Sequence, residues 1–183
     1  PPIQRDCIPV AVGEELDPRA LPLTGLANAA IDIVTPDSAA FAANLARYGE
    51  SDLLVYHPAS ATWYALRTNS VPASQVVQWG WSAAAPVLAD FDGDAIVDLT
   101  IYHAAVGDWY VRRSATATLL KQNWGWSEAN AVAGDYDGDG KADFAVYHQQ
   151  AGNWYIRRSS NGALWQQSWG WSEARSVPGD YDG

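Results

Sequence analysis

The chain has 183 residues, a formal net charge of −10 at pH 7, 48% hydrophobic and 17% charged residues. That balance is ordinary for one folded domain with a core and argues against a disordered chain, while the acidic excess argues against a nucleic-acid surface, which needs a basic patch. The lone Cys7 can form no internal disulfide or zinc pattern, and no apolar run approaches the ~20 residues of a membrane span.

Residues 1–47 form a non-repeat N-terminal segment that flanks or packs on the rest. Pro-rich extended chain reaches Pro22, Ile31 to Val34 reads as a strand, and Thr35-Pro36-Asp37-Ser38 caps an expected helix over 39–47. Residues 48–183 then carry an internal repeat. Asp90, Asp135 and Asp180 are 45 residues apart, as are Trp79, Trp124 and Trp169. Tyr56-His57, Tyr102-His103 and Tyr147-His148 keep the same register with one extra residue in the first unit, and so do Trp63-Tyr64, Trp109-Tyr110 and Trp154-Tyr155. Such a period marks one supersecondary unit per repeat.

Within a unit, residues 143–148 read as a strand, 149–153 as a turn containing Gly, 154–158 as a second strand, 159–162 as a turn and 164–169 as a third strand. A fourth strand is expected from about Ser176 into the acidic loop. Periods near 45 with four short strands favour an all-β propeller, or a propeller fragment of four-stranded antiparallel blades. Most of the ten Trp and nine Tyr fall at equivalent positions, as packing units of blades stacked face to face would.

The acidic clusters recur at the head of each unit. The first holds Asp90, Asp92, Asp94 and Asp98, the second Asp135, Asp137, Asp139 and Asp143, and the third, truncated, Asp180 and Asp182. Carboxylates at positions 1, 3 and 5 of a tight loop converge, the backbone carbonyl at position 7 (Ile96 or Lys141) can join them, and Asp at position 9 closes an all-oxygen shell. Hard oxygen donors select calcium over zinc or copper, and the role is structural. Asp52 aligns with Asp98 and Asp143, so the chain opens with half a site and closes with the other half at Asp180 and Asp182. Either a longer propeller is cut there, or the C-terminal half-site docks against Ser51-Asp52, within one chain or from a neighbour.

Through residues 134–143, the following Phe-Ala-Val-Tyr and Gly152-Asn-Trp-Tyr155, the chain resembles the FG-GAP and VCBS repeat family, bacterial relatives of the integrin alpha-chain propeller. The resemblance covers about residues 48–183. It implies a calcium-stabilised propeller exposed outside the cell, with the Asp positions above as metal ligands. Ala95 departs from the pattern by replacing the turn Gly that Gly140 supplies, so the first site is expected to be the poorer in geometry. His57, His103 and His148 stand where many relatives carry Arg.

Those His residues share strand faces with apolar residues, which favours packing over a shared metal site or catalysis. Arg112-Arg113 and Arg157-Arg158 read as solvated charges with Glu128 or Glu173 nearby. In Trp79-Gly80-Trp81, Trp124-Gly125-Trp126 and Trp169-Gly170-Trp171, one ring packs between blades, and Trp81, Trp126 and Trp171 are candidates to stack on a sugar. The sequence therefore favours a secreted or cell-surface, calcium-binding binding or adhesion module whose ligand is carbohydrate or a surface protein. Alternatives are a structural or self-assembling repeat protein, a homo-oligomer through open blade edges, or a non-catalytic ancillary part of a polysaccharide-degrading enzyme. No constellation of acid, base and cleft stands apart from the repeat, so the chain is not expected to be an enzyme.

Overall fold

The computed structural model describes residues 32–33, 53–66 and 74–179. They form three four-stranded sheets. The first contains β1 (Asp32–Ile33), β2 (Leu53–His57), β3 (Thr62–Leu66) and β4 (Ser74–Gln78); the second β5 (Ala85–Ala89), β6 (Asp98–His103), β7 (Asp108–Arg112) and β8 (Leu119–Asn123). The third contains β9 (Ala129–Ala131), β10 (Phe144–His148), β11 (Asn153–Arg157) and β12 (Leu164–Ser168). The second and third are antiparallel meanders, β5-β6-β7-β8 and β9-β10-β11-β12. Two 3₁₀ turns are the helical elements among the described residues, and no helix there is long and apolar enough to cross a membrane.

The register repeats from sheet to sheet. Val55 opposes Tyr64, Ile101 opposes Tyr110, and Val146 opposes Tyr155. Burial follows position in the sheet: β6 is buried on both faces up to His103, whereas β8 alternates and β12 is mostly exposed. A strand covered by neighbours on both faces reads as a continuous apolar run, and an outer strand with one wet face alternates.

The first sheet differs. Its innermost place beside β2, filled in the other sheets by β5 and β9, has no partner among the described residues, and β1 instead pairs in parallel with β4 on the outer edge. Of the strand expected at Ile31–Val34, Asp32 and Ile33 are in β1 and the other two residues lie outside the described ones. The strand expected from Ser176 is not formed, since residues 174–179 have no ladder. β5 and β9 are strands because β6 and β10 follow the loop and pair with them; no described strand follows residue 179. The helix expected over 39–47, Cys7, Asp52, Asp180 and Asp182 lie outside the described residues.

Each sheet fastens its own Trp-Gly-Trp corner. The indole N–H of Trp63, Trp109 and Trp154 donates to the carbonyl of Trp79, Trp124 and Trp169 at 2.9, 2.6 and 2.8 Å. The hydroxyl of Tyr56, Tyr102 and Tyr147 donates to the carbonyl of Trp81, Trp126 and Trp171 at 3.0, 3.1 and 3.4 Å. Buried aromatic rings thereby satisfy their polar ends and the corner's carbonyls together. The intervening Gly is required at Gly125: its φ is +123°, and a Cβ there would run into the Tyr102 hydroxyl.

The sheets stack face to face, and the core lies between them. Trp63, Ala65 and Val77 of the first sheet pack with Leu99 and Ile101 of the second. Tyr102, Trp109 and Val111 of the second pack with Val146 and Phe144 of the third. Trp81 meets His103 and Tyr110 edge-on at 5.3 and 5.2 Å, and Trp126 meets His148 and Tyr155 at 5.6 and 5.1 Å. This accounts for two of the repeated His residues; His57 bonds Ser60 instead, at 2.7 Å. The Arg pairs are a correction: Arg112 is buried, Arg157 donates to Gln122 of the neighbouring sheet at 2.6 Å, and Arg158 lies over the Trp165 ring. Among the described residues no ion pair joins either Arg pair to Glu128 or Glu173, and Arg113 Nε and Arg158 Nε are buried without a hydrogen-bond partner.

Candidate metal centre

Each complete acidic loop joins the first and second strands of its sheet, residues 90–98 between β5 and β6 and residues 132–143 between β9 and β10. The aspartate at position 1 organises the turn. Asp90 accepts N–H bonds from Asp92, Gly93 and Ala95 at 3.2, 2.6 and 2.7 Å. Asp135 accepts from Gly138, Asp139 and Gly140 at 2.7, 3.2 and 2.8 Å. Short carboxylate-to-backbone bonds of this kind hold a loop without a ladder. Ala95 adopts φ +66° to do so, where Gly140 adopts +87°. The first loop shares with the second the bonds from positions 4 and 6, and Ala95 makes its bond in a backbone conformation that strains a residue with a Cβ.

The aspartate at position 9 is fully buried in both loops. Asp98 accepts from the N–H of Phe91 at 2.8 Å and of Ser114 at 2.6 Å, and Asp143 from Tyr136 at 3.1 Å and Ser159 at 2.6 Å. Each thus ties its loop to the turn after the sheet's third strand. Burial pushes the Asp98 carboxyl up to about 6 and raises Asp143 as well, against the two N–H donors that lower each. Tyr136, buried beside Asp143, is pushed up to about 12.

The carboxylates that converge are Asp90, Asp92 and Asp98 in one loop and Asp135, Asp137 and Asp143 in the other, each trio with oxygens within 4.8 Å of one another. Position 5 stands outside both trios. Asp94 accepts from the Ser114 hydroxyl at 2.9 Å and from Ile96 N–H at 2.9 Å; Asp139 accepts from the Ser159 hydroxyl at 2.8 Å and from Lys141 N–H at 2.9 Å. Ser114, Ala115, Ser159 and Ser160 are partners that the sequence reading did not single out. Ala115 N–H reaches Asp92 at 3.2 Å, and the Ser160 hydroxyl reaches Asp137 at 2.6 Å. The signal was available in Arg112-Arg113-Ser114 and Arg157-Arg158-Ser159, 45 residues apart.

One oxygen in each loop has no donor: Asp92 Oδ1 and Asp137 Oδ1 are buried without a hydrogen-bond partner. Burial, together with the charges of Asp94 and Asp90, raises the Asp92 carboxyl above its ordinary range despite the Ala115 N–H. A buried carboxylate oxygen with no donor beside two other carboxylates is costly unless a cation completes it. All converging atoms are hard oxygens, which fits calcium or magnesium rather than a soft metal. The two loops also touch, with Ala142 N–H donating to the Asp90 carbonyl at 2.6 Å.

Residues 129–165 match the FG-GAP repeat family. The matched stretch runs from β9 through the second acidic loop, β10 and β11 into β12, which is nearly the whole third sheet. Residues 10–88 match the ATP12 chaperone protein family; the described part of that stretch comprises the first sheet and most of β5. No curated protein and no solved structure matches the chain. The described residues are thus propeller-type blades, the third of which is similar to an FG-GAP repeat.

Of the three Trp residues considered for sugar stacking, Trp81 and Trp126 are half-buried against the next sheet, and Trp171 is exposed.

Proposed function

We propose that the chain is a calcium-holding stretch of β-propeller that serves, outside the cell, as a non-catalytic binding and assembly module. The observation that carries the reading is the donorless buried oxygen in each of two equivalent Asp trios, Asp92 Oδ1 and Asp137 Oδ1. When bound, calcium would neutralise the trio and supply the partner that this oxygen lacks, with Asp90, Asp92 and Asp98 or Asp135, Asp137 and Asp143 holding it. Ile96 and Lys141 carbonyls, and Asp94 and Asp139 through rotation away from Ser114 and Ser159, are the further donors. Extracellular calcium-binding modules hold the ion at about 10⁻⁴–10⁻³ M, and the secreted or cell-surface location is proposed on that general ground. A carbohydrate ligand would have to use Trp171 and its surroundings, because Trp81 and Trp126 are committed to packing.

A chaperone reading rests on the ATP12 match alone. The described residues inside that match share the strand register of the second and third sheets, which favours the propeller reading for them.

The test is a thermal melt in calcium, magnesium and chelator, on the parent and on the Asp92→Asn, Asp137→Asn double variant. A ligand that binds only the folded state stabilises by about 2.7 kcal/mol at a hundred times its Kd. The parent should melt higher in calcium, and the double variant should lose that increment. Identical melting of the parent in calcium and in chelator refutes the proposal.

A further inference from the structure

We infer that the two outer faces of this stack bind each other, so that copies of the chain associate head to tail, face to face. The interface is already built twice inside the chain. Trp79 and Trp81 at the end of the first sheet cover Ile101 and Tyr110 of the second, and Trp124 and Trp126 at the end of the second cover Val146 and Tyr155 of the third. In the second junction the Trp124 indole also donates to the Tyr155 carbonyl at 3.1 Å, across the sheets.

Both halves of a third such junction stand exposed. At one end, Trp169 and Trp171 are 77% and 65% exposed, although their own sheet fixes their carbonyls as it does in the other two corners. At the other end, Val55 is 63% exposed and Leu53 62%, whereas Ile101 and Val146, which hold Val55's place in the later sheets, are at 1% and 0%. Val55 opposes Tyr64 across its ladder, as Ile101 opposes Tyr110 and Val146 opposes Tyr155. Since both ends are exposed at once, they do not cover each other within one molecule.

The occupant we commit to is a second copy of this chain, because it presents the residue set that each exposed end meets at the internal junctions. The contact uses the flat sheet faces and their aromatic rings, not the hydrogen-bonding edges of the blades. It is heterologous, so it builds a ring if the rotation closes and an open chain if it does not. Aromatic rings seated on a complementary apolar strand face are the kind of anchor that dominates such contacts. The inference does not require calcium.

Sedimentation velocity over a range of protein concentrations tests it, run in both calcium and chelator on three proteins: the parent, Trp169→Ala/Trp171→Ala, and Val55→Glu. All substituted side chains are exposed, and a melting temperature close to the parent's verifies each fold. The parent should grow in mass with concentration, and each variant alone should remain monomeric. Mixed in equal amounts, the two variants should form a one-to-one dimer and nothing larger, since each retains one intact end. A parent that is monomeric throughout, variants that associate like the parent, or a mixture without dimer would each overturn the inference. Loss of the calcium effect on melting would leave this result untouched, so the two proposals fail separately.

Discussion

Replacing Ala95 with Gly should stabilise the protein. Ala95 sits at φ +66° in the first acidic loop, is exposed, and donates its N–H to Asp90 at 2.7 Å. The left-handed conformation costs an L-residue with a Cβ roughly 1–2 kcal/mol. Gly removes that cost but gives back about 0.4–1 kcal/mol through the greater freedom of the unfolded chain. The net gain is about 0.5–1 kcal/mol, or ~2 °C in melting temperature for a domain of this size. Gly140 provides the reciprocal experiment. Its φ is +87° and a Cβ would meet nothing within 4 Å, so Gly140→Ala isolates the backbone cost without a clash. Melts of both variants in chelator, by circular dichroism, should shift in opposite directions and by similar amounts. The N–H bond to Asp90 or Asp135 survives either substitution, so calcium should add the same increment as in the parent. A loss of stability in Ala95→Gly would show that the loop is not held in the conformation described, and the reasoning about its strain would fail.

Other outcomes follow from the corners and caps. Ala61→Gly should gain less than Ala95→Gly, under about 0.5 kcal/mol, because Ala61 at φ +50° occupies the place of Gly107 and Gly152 but its methyl is buried; urea unfolding measures it. Gly107→Ala should lose at least about 2 kcal/mol in the same assay, since its Cβ would collide with the Gly125 carbonyl and its φ is +70°. Trp109→Phe keeps a ring in place but strips the Trp124 carbonyl of its donor, at a cost of about 1–3 kcal/mol. Ser159→Ala should cost about 0.5–1.5 kcal/mol in chelator and less in calcium, because the hydroxyl bond to Asp139 competes with a bound ion for the same carboxylate; paired melts check the difference.

The repeat made most of this fold readable in advance. A shared 45-residue spacing placed the strands between Leu53 and Ser168 to within a residue or two, and the period together with four short strands per unit favoured blades over a helical solenoid. Spacing also located the acidic loops, because position within a tight loop determines which carboxylates can meet. It said less about contacts between distant residues. Ser114 and Ser159 reach the loops from turns 16–20 residues away, and nothing local marks a Ser as an aspartate's partner. Period alone could not tell that Asp94 and Asp139 turn toward those serines, since alternation gives direction for strands and not for loops. Nor could it tell that both rings of the first two Trp pairs are covered by the sheet that follows while both rings of the third are exposed, a property of the neighbour and not of the pair. The parallel pairing of β1 on the outer edge was equally hidden, because a two-residue strand has no pattern of its own.

The Trp-Gly-Trp corner has an evolutionary consequence. Its carbonyls are bonded by the Trp and Tyr of its own sheet, while its rings rest on the sheet that comes next. One 45-residue segment therefore encodes both a blade and the adhesive for its successor. An in-frame tandem duplication adds a layer and its junction together, and no compensating change is demanded elsewhere. Array length can drift by whole units while the sequence of each unit stays under the same selection, which is how a lineage could vary the number of blades faster than it varies their design.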